Sequence, residues 1–80
     1  MFFELYAGTY DATDLPIAIK IYEEEGSLMA QGSGQPAFEL NPLEKHVFDY
    51  QPAKLEIEFK PYENTFVLKQ GGQVFELKKQ

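Results

Sequence analysis

Short alternations of apolar and polar residues recur along this chain, and turn-forming residues separate almost every neighbouring pair of them. A period of two is the pattern of a β-strand with one buried face and one solvated face. About eight such segments fit into the sequence: residues 5–11, 17–22, 28–31, 37–40, 46–50, 54–60, 65–70 and 73–79. Because connections of about two to six residues join only antiparallel neighbours, the order predicts an up-and-down meander.

The last third of the sequence shows the pattern most clearly. Leu55, Ile57 and Phe59 alternate with charged side chains, which predicts a strand with water on one side. Gly71 and Gly72 predict a two-residue hairpin turn of the primed type, which needs positive φ. Eight antiparallel strands can close into a barrel that side chains fill. We therefore predict an all-β fold, a small eight-stranded antiparallel up-and-down barrel in a single domain covering residues 1–80.

The apolar positions of these strands predict the core. The residues expected to point inward are Ile17, Ile19, Ile21, Leu28, Phe38, Leu40, Leu55, Ile57, Phe59, Phe66, Leu68, Phe75 and Leu77. Because the strands are short, we expect this core to be packed with little free volume, since a roomy ligand cavity would need longer strands. Helix is expected at most as a single turn near residues 41–45.

Composition argues against several classes of partner. Thirteen acidic residues face seven lysines and no arginine, and the net charge of -6 would repel a phosphate backbone, so no nucleic-acid partner is expected. No apolar stretch approaches the roughly 20 residues of a membrane-spanning helix, and residues 1–4 do not read as the start of a signal peptide. The sequence has no cysteine, which excludes disulfides and thiolate metal sites. We expect a soluble chain without membrane insertion.

Candidate catalytic and metal-binding groups are sparse. His46 is the only histidine and is predicted to be a half-exposed residue at the edge of a turn, without a partner that would tune it. The three acidic residues 23–25 are predicted to be solvated turn charges, since adjacent carboxylates alternate faces and do not converge on a cation. We therefore predict no catalytic residue, no metal site and no cofactor.

Two sets of residues are candidates for binding. Tyr6, Tyr10, Tyr22 and Tyr50 would form an amphipathic patch of the kind enriched at interfaces if they point outward or toward one open end of the barrel. The alternative is that their rings complete the core while their hydroxyls reach solvent. Gln35 lies in a polar loop, a position that binding residues favour but that simple connections also use.

Several short motifs occur in an order that resembles a known family. They are residues 5–10 (LYAGTY), 28–31 (LMAQ) with 34–36 (GQP), 55–59 (LEIEF), and 66–72 (FVLKQGG) with 75–77 (FEL). In this order they resemble the lipocalin-like domain at the C-terminal end of many bacterial serine hydrolases of the beta-lactamase and penicillin-binding class. The likeness covers residues 5–78. It implies a noncatalytic barrel of unknown specific role, carried behind a hydrolase domain, in bacterial proteins that are often exported.

The catalytic signature of those hydrolases is not reproduced. Their nucleophilic serine stands three residues before a lysine, whereas Ser27 and Ser33 are followed at that distance by Ala30 and Pro36. Residues 62–64 (YEN) match the Tyr-x-Asn element of such active sites. They fall in a predicted hairpin turn, where Asn is favoured because it tolerates left-handed backbone. We therefore expect a protein that is not itself an enzyme.

Two functional hypotheses remain open at this point. The first is an accessory or interaction domain that associates with a serine hydrolase or with another copy of itself, which an exposed apolar or aromatic patch would favour. The alternative is a miniature lipocalin-like binder of a small apolar ligand, which would need an enclosed apolar cavity of at least about 300 Å³. A complete enzyme would require a nucleophile and a base that the sequence does not supply.

Overall fold

The computed structural model describes residues 5–13 and 17–80. The strands are β1 (Gly8–Asp11), β2 (Ile19–Glu24), β3 (Ser27–Gly32), β4 (Phe38–Glu39), β5 (Asn41–Glu44), β6 (Val47–Tyr50), β7 (Leu55–Lys60), β8 (Thr65–Gln70) and β9 (Gln73–Lys79). Single 3-10 turns at Gln51–Ala53 and Pro61–Glu63 precede β7 and β8. No helix among the described residues is long and apolar enough to cross a membrane.

The nine strands form one antiparallel sheet that nearly closes on itself. Their order is β4-β3-β2-β1-β9-β8-β7-β6-β5. Each strand therefore pairs with the next one in sequence, except that β4 does not pair with β5. The first and last strands meet through the pairs Tyr10↔Lys79 and Asp11↔Lys78, which brings the two ends of the meander together. The predicted all-β antiparallel barrel with meander order is therefore confirmed.

The structure has nine strands where eight were predicted, because the segment that contains β4 and β5 pairs first with β3 and then with β6. The backbone N–H of Leu40 still donates to Leu28 O of β3, at 2.8 Å, but Asn41 already pairs with Asp49 of β6. The segment is thus divided into β4, which pairs with β3, and β5, which pairs with β6. No helical turn forms near residues 41–45, where the sequence allowed at most one, because β5 occupies most of that segment. Pro42 is tolerated there because it lies at the edge of the sheet.

This exchange of partners leaves a slit in the barrel wall between β4 and β6. No ladder of backbone hydrogen bonds joins these two strands. Phe38 of β4 and Tyr50 of β6 instead stack across the slit, with ring centroids 4.2 Å apart and planes 24° from parallel. At the slit, side-chain packing replaces the backbone ladder that holds the other neighbours together.

Two hairpin turns use paired residues with positive φ. The φ values of Gly71 and Gly72 are 59° and 80°, which confirms the primed turn predicted between β8 and β9. Glu25 and Gly26 adopt φ values of 51° and 81° between β2 and β3. The same turn type therefore forms there with a glutamate, in place of a glycine, at its first position.

The connections before β7 and β8 are a matched pair. Each is a 3-10 turn that ends in a left-handed residue, Lys54 (φ 54°, ψ 44°) in the first and Asn64 (φ 56°, ψ 39°) in the second. The N–H of Lys54 donates to Gln51 O at 2.9 Å, and that of Asn64 donates to Pro61 O at 3.3 Å. Asn is among the residues that tolerate this conformation, as predicted, whereas Lys is not.

Aromatic rings pack against one another at one end of the barrel, here called the aromatic end. The ring of Phe59 stacks on Tyr6, with centroids 4.3 Å apart, and meets Phe48 and Phe66 edge to face at 5.7 and 5.4 Å. The buried apolar residues are Tyr6, Tyr10, Ile19, Ile21, Leu28, Ala30, Leu40, Phe48, Ile57, Phe59, Phe66, Leu68 and Leu77. Of the residues expected inside, Ile17, Phe38, Leu55 and Phe75 are only partly buried.

Candidate functional site

The barrel interior is open at the end where β2 and β7 begin. A cavity of about 300 Å³, here called the cup, lies inside that end. Its lining is Ile17, Ile19, Ala30, Gly32, Gln35, Phe38, Ala53, Leu55, Ile57, Leu68, Gln70, Gln73 and Phe75. The expectation of a core with little free volume is therefore correct for the aromatic end of the barrel and wrong for this end.

The cup exists because inward-facing side chains become small toward one end of the barrel. Ala30 is 1% exposed and contributes only a methyl group to the wall, and Ala53 and Gly32 contribute as little. Gly32 also permits close packing, since a Cβ there would lie 3.3 Å from Ile17 Cδ1 and 3.2 Å from Gln35 Oε1. The partly buried Ile17 therefore lies close to Gly32, and both residues border the cup together with Ala30.

Among the described residues, the polar side chains that line the cup are three glutamines, and none of the lining side chains is charged. Gln70 Nε2 donates to Ala53 O at 3.0 Å, which ties the end of β8 to the turn before β7. Gln31 Nε2 donates to Gln35 O at 3.0 Å, which holds the loop that carries Gln35. All three lining glutamines are exposed, so carboxamides surround an apolar interior at its opening.

The four candidate tyrosines do not share one surface. Tyr6 and Tyr10 are core residues, 5% and 1% exposed, and Tyr10 Oη donates to Tyr6 O at 2.7 Å inside the barrel. Tyr22 lies on β2 with Lys20 Nζ 5.4 Å from its ring centroid, and Tyr50 lies at the slit. Burial excludes Tyr6 and Tyr10 from an external patch in the folded barrel.

His46 has a partner, contrary to the expectation from its isolation in the sequence. Tyr6 Oη and His46 Nδ1 are 2.6 Å apart, which links the residues before β1 to the turn between β5 and β6. The ring is half-buried and adopts φ 68°. Desolvation raises the pKa of Tyr6, so its hydroxyl stays protonated well beyond neutral pH. The pair is a structural contact at the aromatic end of the barrel, away from the cup.

The other two residues that the sequence singled out, Gln35 and Tyr62, lie in different parts of the barrel. Gln35 lines the cup, whereas Tyr62 is 99% exposed in the 3-10 turn before β8. The described residues hold no cluster of three or more His, Cys, Asp or Glu side chains that could bind a metal ion. Sequence reasoning missed the cup because Ile17, Phe38, Leu55 and Phe75 were treated as filled core. The available signal was the small size of residues 30 and 32 on β3 and of residue 53 in the turn before β7.

Comparison of the chain with known protein families, with curated proteins and with solved structures gives no match. The resemblance to hydrolase accessory domains gains no support from these comparisons and stays a prediction. The function is therefore inferred from the geometry of the barrel.

Proposed function

We propose that this barrel binds a small, largely apolar molecule in the cup. The observation that supports this proposal is the apolar cavity of about 300 Å³ at an open end of the barrel. That volume is at the lower end of the range of ligand pockets, and it corresponds to about ten non-hydrogen atoms if each takes the ~30 Å³ that a water occupies in the liquid. The apolar wall would supply the binding free energy and the glutamines would orient a polar group.

The shape of the wall adds a physical reason for binding. Apolar side chains at an opening to solvent leave surface in contact with water, and an apolar ligand that covers this surface removes it from water. Phe38 and Phe75 offer aromatic surface at the opening, and Ile57 and Leu68 form deeper parts of the wall. A molecule with an apolar body therefore gains contacts without requiring the barrel to rearrange.

An accessory role beside a serine hydrolase stays a hypothesis that rests on the sequence resemblance. The large apolar side chains exposed among the described residues are Leu5, Leu43, Tyr62 and Val74, and each lies on a different segment of the chain. The ligand-binding proposal does not depend on that resemblance, because it rests on the cup alone.

Filling the cup tests the proposal. Ala30→Leu adds apolar volume at a buried position of the wall, so we expect the affinity for octanol, a neutral eight-carbon probe, to fall at least about tenfold. The measurement is a titration followed by amide chemical shifts in NMR spectra of the wild type and the variant. In the wild type, the largest shifts are expected at residues that line the cup.

The control is Ala7→Leu, which makes the same change at an exposed position outside the cup. It should bind octanol like the wild type. The thermal midpoint of Ala30→Leu should be unchanged or higher, because the added side chain occupies space that is empty in the wild type. Octanol that shifts no residue of the cup, or that binds a folded Ala30→Leu as tightly as the wild type, would contradict the proposal.

A further inference from the structure

We infer that the cup takes a carboxylate-bearing amphiphile, with the apolar tail inside and the carboxylate at Lys54. This inference rests on the proposed function, since it assigns a chemical class to the ligand of the same site. It follows from where Lys54 lies, from the partners of the charges around it and from the backbone conformation it adopts.

Lys54 stands at the opening of the cup. Its two chain neighbours, Ala53 and Leu55, both line the cup. Lys54 itself borders an outer groove together with Gln70 and Gln73, and these two glutamines also line the cup. A ligand whose tail occupies the cup would therefore emerge past the glutamines into the groove that Lys54 borders.

Two carboxylates border the grooves beside Lys54, and each has another partner. Glu56 Oε1 lies 3.9 Å from Lys69 Nζ, and Asp49 Oδ1 accepts a hydrogen bond from Asn41 Nδ2 at 3.1 Å. Within the described residues, no carboxylate lies within ion-pair distance of Lys54. Among these residues Lys54 is therefore an unpaired cation beside an apolar opening, and it offers a ligand carboxylate a local partner in a protein whose net charge of -6 repels anions elsewhere.

The backbone at Lys54 gives a second observation. Lys54 closes its turn in a left-handed conformation, and Asn64 closes the matching turn at the opposite end of β7 with nearly the same angles. The turn away from the cup carries a residue suited to that conformation, whereas the turn at the cup carries lysine. Glu25 and His46 also adopt positive φ, so this conformation singles out Lys54 only together with its place at the opening of the cup. There, the side chain of Lys54 is placed to contact a ligand.

The volume sets the length of the tail. A cup with room for about ten non-hydrogen atoms matches an eight-carbon chain. Octanoate is therefore the test ligand. Octanol and octylamine carry the same chain with a neutral head and a cationic head, so the three probes separate the contribution of the tail from that of the charge.

The experiment titrates the three probes into the wild type, Lys54→Asn and Lys45→Asn, with affinity read from NMR chemical shifts. Lys54→Asn should lower octanoate affinity about two- to fivefold, the contribution of one exposed ion pair, and leave octanol affinity unchanged. Lys45→Asn removes the same charge from the exposed turn between β5 and β6, at the other end of the barrel, and should leave both affinities unchanged. Lys54→Glu should weaken octanoate further and strengthen octylamine.

The outcomes separate the two proposals. If octanol binds in the cup but Lys54→Asn leaves octanoate affinity unchanged, or Lys45→Asn lowers it equally, the carboxylate assignment is overturned and the proposed function stands. The same holds if the wild type prefers octylamine to octanoate, because the overall negative charge would then dominate. If none of the three probes shifts residues of the cup, the proposed function fails.

Discussion

Single residues at the aromatic end of the barrel show how polar groups are accommodated in the core. Tyr10 is 1% exposed, yet its hydroxyl is satisfied because it donates to Tyr6 O. Desolvation raises the pKa of Tyr10 to about 12. Tyr6 and Tyr10 thus contribute apolar ring surface to the core. The hydroxyl of Tyr10 bonds to the backbone of Tyr6, and the hydroxyl of Tyr6 bonds to His46.

The raised pKa of Tyr10 predicts a loss of stability at alkaline pH. In the unfolded chain a tyrosine loses its proton near pH 10, whereas in the folded barrel Tyr10 retains it to about pH 12. Above about pH 10 the unfolded state therefore binds fewer protons than the folded state, so the free energy of unfolding falls as pH rises to about 12. Urea denaturation at a series of pH values measures this decline.

Tyr10→Phe is the test variant, and its free energy of unfolding should decline less than that of the wild type over this window. At neutral pH it should be less stable by about 1 kcal/mol, because the hydrogen bond to Tyr6 O is lost. Tyr22→Phe, which changes a partly buried tyrosine on β2, should keep the wild-type decline. An identical alkaline decline in Tyr10→Phe and the wild type would refute the assignment to Tyr10.

At the residue level, the sequence predicted most of the inward positions on β2, β7 and β8, because their apolar residues alternate cleanly with charged ones. It left two placements open for Tyr6 and Tyr10, and their burial agrees with the one in which tyrosine rings complete the core. It did not predict the contact between Tyr6 and His46, which joins residues 40 positions apart. Such contacts depend on the closure of the whole barrel.

Among the elements, the two 3-10 turns offer the clearest comparison, because nearly identical backbone conformations carry different residues. A left-handed conformation is costlier for lysine than for asparagine, whose short polar side chain can hydrogen-bond locally. The turn at the cup should therefore be the less favourable of the two. This difference can be measured by exchanging the residues that close them.

Lys54→Asn should raise the free energy of unfolding, and Asn64→Lys should lower it, each by about 1 kcal/mol or less. The matched pair makes the two substitutions controls for each other, since each introduces into one turn the residue of the other. Chemical denaturation at neutral pH provides the measurement. A lower free energy of unfolding in Lys54→Asn together with a higher one in Asn64→Lys would show that surface charge, and not the left-handed backbone, determines the effect, because the protein carries a net charge of -6.

The segment that contains β4 and β5 was predicted only in part. Alternation predicted a strand that includes Phe38 and ends at residue 40. The structure continues through that point because the segment moves to the edge of β6, where the missing N–H of Pro42 is tolerated. A change of neighbour is a property of the sheet, so local sequence does not reveal it.

For the molecule as a whole, closure of the barrel is unequal around its circumference. β8 pairs with β7 and with β9 at six positions each, whereas β1 pairs with β9 at only two. Segments with fewer ladder hydrogen bonds open locally at a lower free-energy cost. The junction between β1 and β9 should therefore open before the sheet formed by β7, β8 and β9.

Native-state hydrogen exchange tests this order of opening. We expect the amide protons of β8 to exchange slowest and those of β1 to exchange at least about tenfold faster under the same conditions. Adding a tight ligand of the cup should slow exchange most in the strands that line it, which include β7 and β8. Equal protection of β1 and β8 would show that the barrel opens only as one unit.

Fold class was predictable from the sequence because period-two alternation and turn residues act locally and agree along the whole chain. The cup was not, because it depends on the sizes of side chains contributed by six strands and three connections at one level of the barrel. Gln35 was a candidate on the basis of its loop alone. Lys54 was absent from the candidates, since its significance lies in a backbone angle that the sequence does not show.

The exchange of partners at Leu40 also decides where the interior is most easily reached through the wall. Phe38 borders both the cup and a groove on the outside of the slit, and Tyr50 borders that groove as well. Rotation of these two rings would widen the slit without breaking a ladder hydrogen bond, since none joins β4 to β6. At this flank of the wall, two neighbouring strands can therefore separate without the loss of a ladder hydrogen bond.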